Sequence, residues 1–341
     1  MQFATTSNMT TKTRVHGYPL PPEGRQFRPQ YVRGQYNLPD PVRGGTKTDR
    51  FTRVTTGAHA LDETSGLEKW KLRNVVLGLH AKPELIESLD LLGEPRDVTR
   101  MLNDTVQQAS DAAGASDAAE KGTAIHAWIE ACERDGASVS DVPRQFQPFV
   151  TSYFETLERA GVEVLPDLVE RIVWHAGTGW VGTFDNVYKL ADGTQVIGDK
   201  KTSKSLQYGY LGFSMQLAVY ADADKMLLPD GTGWVAPPAV GNAYGLIAHI
   251  PSNQPGKCEL VTIDLETGRR AIDLAEQVRF ARANAAKAVP NRWELPQIPL
   301  RDRVARANSS DELAALWNEN SAVWTPELTQ LGMARIAELT P

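Results

Sequence analysis

The sequence predicts a mixed α/β domain over about residues 51–290, and three observations carry that expectation. Apolar residues recur at helical spacing up to about residue 160. From Glu163 the pattern changes to short strand-like runs separated by the turn signals GTG and ADG. A helical run then leads into two further strands. A strand, a crossover helix and another strand imply one parallel neighbour in an otherwise antiparallel sheet. The 341 residues, 41% apolar and 23% charged, have a globular composition and enough length for one large domain or two ordinary ones.

Residues 1–50 are rich in Pro, Gly, Arg and Tyr without apolar periodicity, and they predict an extended arm. From Lys12 to Arg53 there are nine Lys or Arg against three acids, Glu23, Asp40 and Asp49, so the arm is either a solvated tail or a segment lying along a polyanion. A short strand at about 51–56 leads into helices at about 64–80, 82–92 and 96–113. Leu67, Trp70, Leu72, Val75, Val76 and Leu79 form the apolar positions of this scaffold. A helix at about 117–135 opens near Ser116 with Glu120 behind it in a loose capping pattern. The next, at about 142–160, offers Phe146, Phe149, Val150, Tyr153, Phe154 and Leu157 and stops at Gly161. Strands at about 163–176, 179–190 and 195–202 read as an antiparallel meander. A helix at about 205–227, strands at 242–250 and 258–265, and a long helix at 267–288 complete the domain. The tail, 300–341, predicts an appended helical hairpin whose two helices each carry a Ser or Thr cap.

No stretch approaches the roughly 18 to 20 apolar residues of a membrane helix, and the first residues lack the apolar run of a secretory signal. A soluble, cytoplasmic protein without a membrane partner is therefore expected. Cys132 and Cys258, with no CxxC, cannot close a structural zinc site or hold an iron–sulfur cluster unaided. The net charge of −6 argues against a surface coated in positive charge, but nucleic-acid affinity depends on where Lys and Arg sit, not on their sum.

The chemistry lies in Trp180 to Lys204, WVGTFDNVYKLADGTQVIGDKKTSK. Read as a three-residue hairpin loop, Ala191-Asp192-Gly193 makes Leu190 and Thr194 the closing pair and sets Asp185 opposite Asp199, with Lys201 on the same face. Read as a two-residue turn, Asp192-Gly193 sends the two aspartates to opposite faces. Like charges across a ladder are destabilising unless a cation compensates, and a divalent metal suits hard oxygen ligands at this separation. An ammonium on that face can activate a water or stabilise negative charge on phosphorus. Lys200 must point to the other face, which leaves only its backbone carbonyl for a metal. Val181, Val187 and Ile197, on the same face as the aspartates, are apolar, against a merely solvated surface.

The motifs GTAIHAWIE (122–130), VGTFDNVY (181–188), VIGDKKTSK (196–204) and MQLAVYA (215–221) occur in the order and spacing of the RecB-like branch of the PD-(D/E)XK nuclease superfamily, which the chain resembles over about 51–290. It is also similar to exonucleases encoded by actinobacterial phages beside recombination genes. The resemblance implies a restriction-endonuclease-like fold, an α+β mixed sheet flanked by helices, and Mg²⁺ or Mn²⁺ as cofactor. It implies metal ligation by His126, Asp185 and Asp199, assistance by Lys201, and substrate contacts from Thr202, Gln216 and Tyr220. Glu130 reads as orienting His126 or a neighbouring strand, Glu170 as a supporting carboxylate outside the site set, and His175 and His249 as structural. Lys204 and the arm residues Arg25, Arg28 and Arg33 are candidates for phosphate contacts. Iron–sulfur members of the branch need four cysteines, so the resemblance implies the subgroup without a cluster. No phosphate loop is present for ATP-driven unwinding.

The expected function is a DNA exonuclease acting on free ends of linear DNA in phage recombination or repair, in the cytoplasm of the bacterial host. Its expected partners are a single-strand annealing recombinase or a single-strand-binding protein. The alternatives are a DNA-end-binding module without turnover and a structure-specific endonuclease on the same constellation.

Overall fold

The computed structural model describes residues 14–15, 17–22, 29–32, 35–45, 47–288 and 298–340, in two units, Met1–Ala283 and Asn284–Pro341. The first described element is a short hairpin, β1 (Arg14–Val15) and β2 (Tyr18–Pro19), whose Pro19 carbonyl accepts the Trp128 indole N–H at 3.0 Å. An antiparallel three-stranded sheet follows, β3 (Gln30–Val32), β4 (Gln35–Pro39) and β5 (Thr48–Thr52). Tyr36 and Leu38 of β4 are buried against Ile172, Val181 and Leu227, so this stretch is a packed sheet where an extended arm was expected. The two-residue alternation in QYNLP is too short to register between flanking Pro and Gly. Arg25, Arg28 and Arg33 lie outside the described residues.

Helices α1 (Val54–Ala58), α2 (Ser65–Ala81), α3 (Glu84–Glu87) and α4 (Pro95–Ala112) come next. The helix expected at 82–92 is thus a single turn. On α2 the expected scaffold face is turned to water: Leu67, Trp70, Leu72 and Val76 are exposed, while Asn74 and Gly78 are buried. The physical reason is a close helix crossing, because a Cβ on Gly78 would lie 1.7 Å from the Ala109 carbonyl oxygen of α4. Helices α5 (Asp117–Arg134) and α6 (Gln147–Ala160) then lead into the strands.

Those strands are β6 (Glu163–Val164), β7 (Arg171–His175), β8 (Trp180–Phe184), β9 (Asn186–Lys189) and β10 (Gln195–Lys201). After them come α7 (Tyr210–Ala221), β11 (Lys225–Leu227), β12 (Trp234–Val235), β13 (Tyr244–His249), β14 (Glu259–Asp264) and α8 (Leu265–Ala283). They form two sheets, ordered β14-β13-β10-β9-β6 and β12-β11-β7-β8, so the expected single meander is divided at Asp185. β10 and β13 are parallel, as the crossover helix requires, and the other pairs of the five-stranded sheet are antiparallel. The helix expected to run to 227 stops at Ala221. Asp222 takes two bonds from Arg269 at 2.7 and 2.8 Å, Asp224 accepts the Ala176 N–H at 2.7 Å, and the next residues pair with β7.

Alternation along the strands sets the layers of the five-stranded sheet. Val187, Ile197 and Ile247 pack with Met215, Leu217 and Ala218 of α7 and Ile272 and Ala275 of α8. Tyr188, Val196, Leu246 and Ala248 pack with Ile125 and Ile129 of α5 and Phe149 and Tyr153 of α6. Helices therefore cover both faces, and each fully buried large apolar side chain contributes about 1.5–3 kcal/mol.

The second unit holds α9 (Leu300–Ala305), α10 (Ser310–Glu319) and α11 (Pro326–Leu339) around Val304, Ala307, Leu313 and Leu316. The expected Ser and Thr caps are present: Ser309 Oγ accepts from Glu312 N at 3.1 Å and Thr325 Oγ1 from Leu328 N at 3.4 Å. Three helices stand where a hairpin of two was expected, because LRDRVA buries only Val304 and shows no apolar period. Among the described residues no helix is long and apolar enough to cross a membrane.

Candidate active site

The ADG loop is a three-residue turn: Gly193, at φ 86°, donates to the Leu190 carbonyl at 2.8 Å, and Leu190 N–H donates to the Thr194 carbonyl at 2.8 Å. The ladder then runs from Gln195↔Lys189 to Gly198↔Asn186. Its next step would pair Asp185 with Asp199, and there the strand leaves the sheet. Asp185 is held instead by specific bonds. Its carbonyl accepts the Glu170 N–H at 2.9 Å, and its Oδ2 accepts the Lys200 N–H at 2.7 Å and lies 2.8 Å from His126 Nε2. Burial disfavours charge on this carboxyl, but His126 and the two lysines outweigh it and hold Asp185 well below the usual carboxylate range.

Asp199 and Lys201 share a face of β10, and the Lys201 ammonium is in ion-pair contact with Asp199 Oδ2. That oxygen is buried, with no partner beyond the Lys201 ammonium among the described residues. Its partner Oδ1 receives a long bond, 3.4 Å, from Gln216 Nε2, which also lies 3.2 Å from the Tyr220 hydroxyl one turn further along α7. Burial and the neighbouring Asp185 charge push Asp199 up to about 6, against the pull of Lys201. Burial works against the Lys201 charge, but Asp199 and Asp185 outweigh it and raise this lysine, so it is an ammonium at neutral pH.

His126 is brought in by α5, which can approach β10 closely because a Cβ on Gly122 would meet Thr202 Oγ1 at 2.3 Å. The other ring nitrogen, Nδ1, lies 3.7 Å from Glu170 Oε1. Burial opposes charge on the imidazole, yet Asp185, by charge and hydrogen bond, raises it to about 9. Glu170 is the feature sequence reasoning set aside. It adopts a left-handed backbone at φ 54°, unusual for a residue with a side chain, and burial together with the Asp185 charge pushes it up to about 8. His126, Glu130 and Glu170 present ligand-type atoms all within 4.8 Å of one another. Glu130 also receives the Arg134 guanidinium at 2.5 Å. No short motif marks Glu170, since its place depends on a backbone conformation and on the break at Asp185.

On the opposite side of β10, Lys200 reaches into the core, as strand alternation requires. Its ammonium contacts Glu133 Oε2 at 2.9 Å and Asn186 Oδ1. Asn186 Nδ2 donates to Glu133 Oε1 at 3.0 Å, and the Tyr153 hydroxyl completes that carboxylate's partners. Burial disfavours the lysine charge, but Glu133 more than offsets this and raises Lys200. With its side chain fully buried, Lys200 borders the cleft through its main chain, where its N–H fixes Asp185.

His126, Asp185, Asp199, Lys200, Lys201, Thr202, Gln216 and Tyr220 all line one cleft of about 580 Å³. Pro29, Tyr36 and Arg53 from the N-terminal segment also line it, with the Arg53 guanidinium 5.4 Å from the Tyr36 ring centroid. Lys204 is exposed on the loop after β10. His175 and His249 serve structure: His175 Nδ1 lies 3.0 Å from Thr178 Oγ1, and buried His249 bridges Glu259 and the Ser203 carbonyl, both at 2.9 Å. Two carboxylates and an imidazole, Asp199, Asp185 and His126, line the same cleft, a donor set that fits a divalent cation. In comparisons with known proteins, the chain matches no family model and no curated protein.

Proposed function

We propose that the chain is a Mg²⁺- or Mn²⁺-dependent DNA exonuclease of the RecB-like branch of the PD-(D/E)XK superfamily, with a restriction-endonuclease-like fold. It hydrolyses phosphodiester bonds from the ends of linear DNA in phage recombination or repair. The observation that carries the reading is the convergence of His126, Asp185, Asp199 and Lys201 in one cleft, with the buried Asp199 carboxylate in ion-pair contact with Lys201. These four side chains come from α5, β10 and the break between β8 and β9, and they belong to three of the four sequence motifs.

In this reading His126, Asp185 and Asp199 hold the cation, with Glu170 beside His126. The bound ion would offset the paired carboxylates and polarise a phosphoryl oxygen. Lys201, kept as an ammonium by its acidic neighbours, stabilises the negative charge that develops on phosphorus. Gln216 and Tyr220 orient Asp199, and Thr202 and Lys204 contact the substrate backbone. A single-strand annealing recombinase or single-strand-binding protein would take the exposed strand, in the cytoplasm of a bacterial host.

The test is a digest of linear and covalently closed circular plasmid with Mg²⁺ or Mn²⁺ and with a chelator. Metal-dependent loss of the linear form alone supports the exonuclease. Cleavage of the closed circle points to an endonuclease, and binding without cleavage to an end-binding module. Activity that survives exhaustive chelation overturns the metal-dependent reading.

A further inference from the structure

A second depression of the larger unit, about 310 Å³, is lined by Thr56, His59, Ala60, Arg279 and Arg282. Thr55, one residue earlier on α1, lines the candidate active-site cleft. Consecutive residues of α1 thus line the two concavities. Arg279 and Arg282 stand three residues apart on α8 and so on one side of it. Arg279 is fixed at two points. Its Nη2 donates to Thr52 Oγ1 at 3.5 Å, and its guanidinium carbon lies 5.9 Å from the ring of buried Trp180. Thr52 ends β5 just before the cleft residue Arg53, and Trp180 opens β8, which carries the cleft residues Gly182 and Thr183.

Among the described residues neither guanidinium forms an ion pair with a carboxylate. The nearby acid Asp62 is in contact with His59 Nδ1. An arginine in the last turn of a helix complements the helix dipole, which accounts for Arg282 alone. It does not account for a second guanidinium, held at two points, in the same concavity. A guanidinium offers five N–H donors in a planar fork that matches phosphate oxygens, and two of them on one wall suit a dianionic or phosphodiester group better than a carboxylate.

We propose that this pocket is a phosphate-binding site that takes a backbone phosphate of the nucleic-acid strand whose scissile bond lies in the neighbouring cleft. This rests on the nuclease reading of the cleft. It gives that reading a second anchor, which positions the strand without reading its sequence.

The test measures binding of a linear duplex to the full chain, in chelator so that nothing is cut, as a function of salt. Arg282→Gln, an exposed position, should make the slope of log affinity against log salt less steep by about 1. Arg279→Gln with Arg282→Gln should do so by about 2, with weaker binding at low salt. Arg279→Lys should retain much of the salt dependence, since it keeps the charge. In parallel, inorganic phosphate alone should shift the side-chain N–H resonances of the two arginines. Unchanged slopes in both Gln variants overturn the proposal, as does the absence of both DNA binding and a phosphate-induced shift. If the wild type binds no DNA yet phosphate shifts both resonances, the pocket stands as a site for free phosphate, and it is the nuclease reading that fails.

Discussion

Asp185 is tied at two ends: its carboxylate Oδ2 accepts the Lys200 N–H and faces His126, and its backbone carbonyl accepts the Glu170 N–H. Asp185→Asn keeps an oxygen that can accept the Lys200 N–H but removes the negative charge, so the variant should fold, bind DNA and fail to cut. Lys201→Ala removes the ammonium beside Asp199 and should lower kcat by roughly 10²–10³-fold with little change in DNA affinity. Full cleavage by Lys201→Ala, measured at saturating DNA, would remove it from the site. The raised values of His126, about 9, and Glu170, about 8, also set a pH dependence for metal binding. Both groups hold protons at pH 7 in the metal-free protein; His126 as a ligand must give its proton up, and Glu170 beside it would ionise next to the cation. Apparent Mn²⁺ affinity should therefore climb as pH rises from about 7 to 9, and binding should release protons. Calorimetry in buffers of different ionisation enthalpy checks this, and an affinity that is flat across that window contradicts the ligand set.

Among the elements, β10 was the most legible in the sequence and the β8–β9 junction the least. The ADG loop offered two registers, and the three-residue turn closed by Leu190 and Thr194 is the one formed, which fixes the residues that face each other. The break at Asp185 was hidden, since the two-residue alternation of VGTFDNVY continues through it and only bonds to the distant Glu170 and Lys200 define it. β11 was hidden for a related reason, lying inside the apolar run after α7 that reads as more helix. The alternation of β10 also assigns Lys200 to the far side from Asp199, but no sequence pattern announces that Glu133, Asn186 and Tyr153 wait there. Lys200→Met leaves the Glu133 carboxylate buried with its cation gone, which should cost about 3–5 kcal/mol of stability. Adding Glu133→Gln should recover part of that loss, since the amide carries no charge. Chemical denaturation reads both, and a loss under about 1 kcal/mol in the single variant would show that the pair does not hold β10 against α5.

Across the whole molecule, each residue named in the cleft lies within Met1–Ala283, whose core is built from its own helices and strands on both faces of the five-stranded sheet. The unit Asn284–Pro341 has a separate core around Val304, Ala307, Leu313 and Leu316, with capped helices of its own. Two cores that share no buried residue can melt independently, and a unit of under about 70 residues is the more marginal of the two, because its surface-to-volume ratio leaves less apolar area to bury. A chain ending at Ala283 should therefore keep its metal-binding isotherm and its rate of linear-DNA cleavage, while its calorimetric trace loses the lower of two transitions shown by the full chain. The discriminating measurement is the Mn²⁺ titration of the shortened chain. If metal affinity collapses while the far-ultraviolet spectrum still shows a folded α/β unit, the cleft depends on residues beyond Ala283, and the assignment of the whole site to the larger unit is wrong.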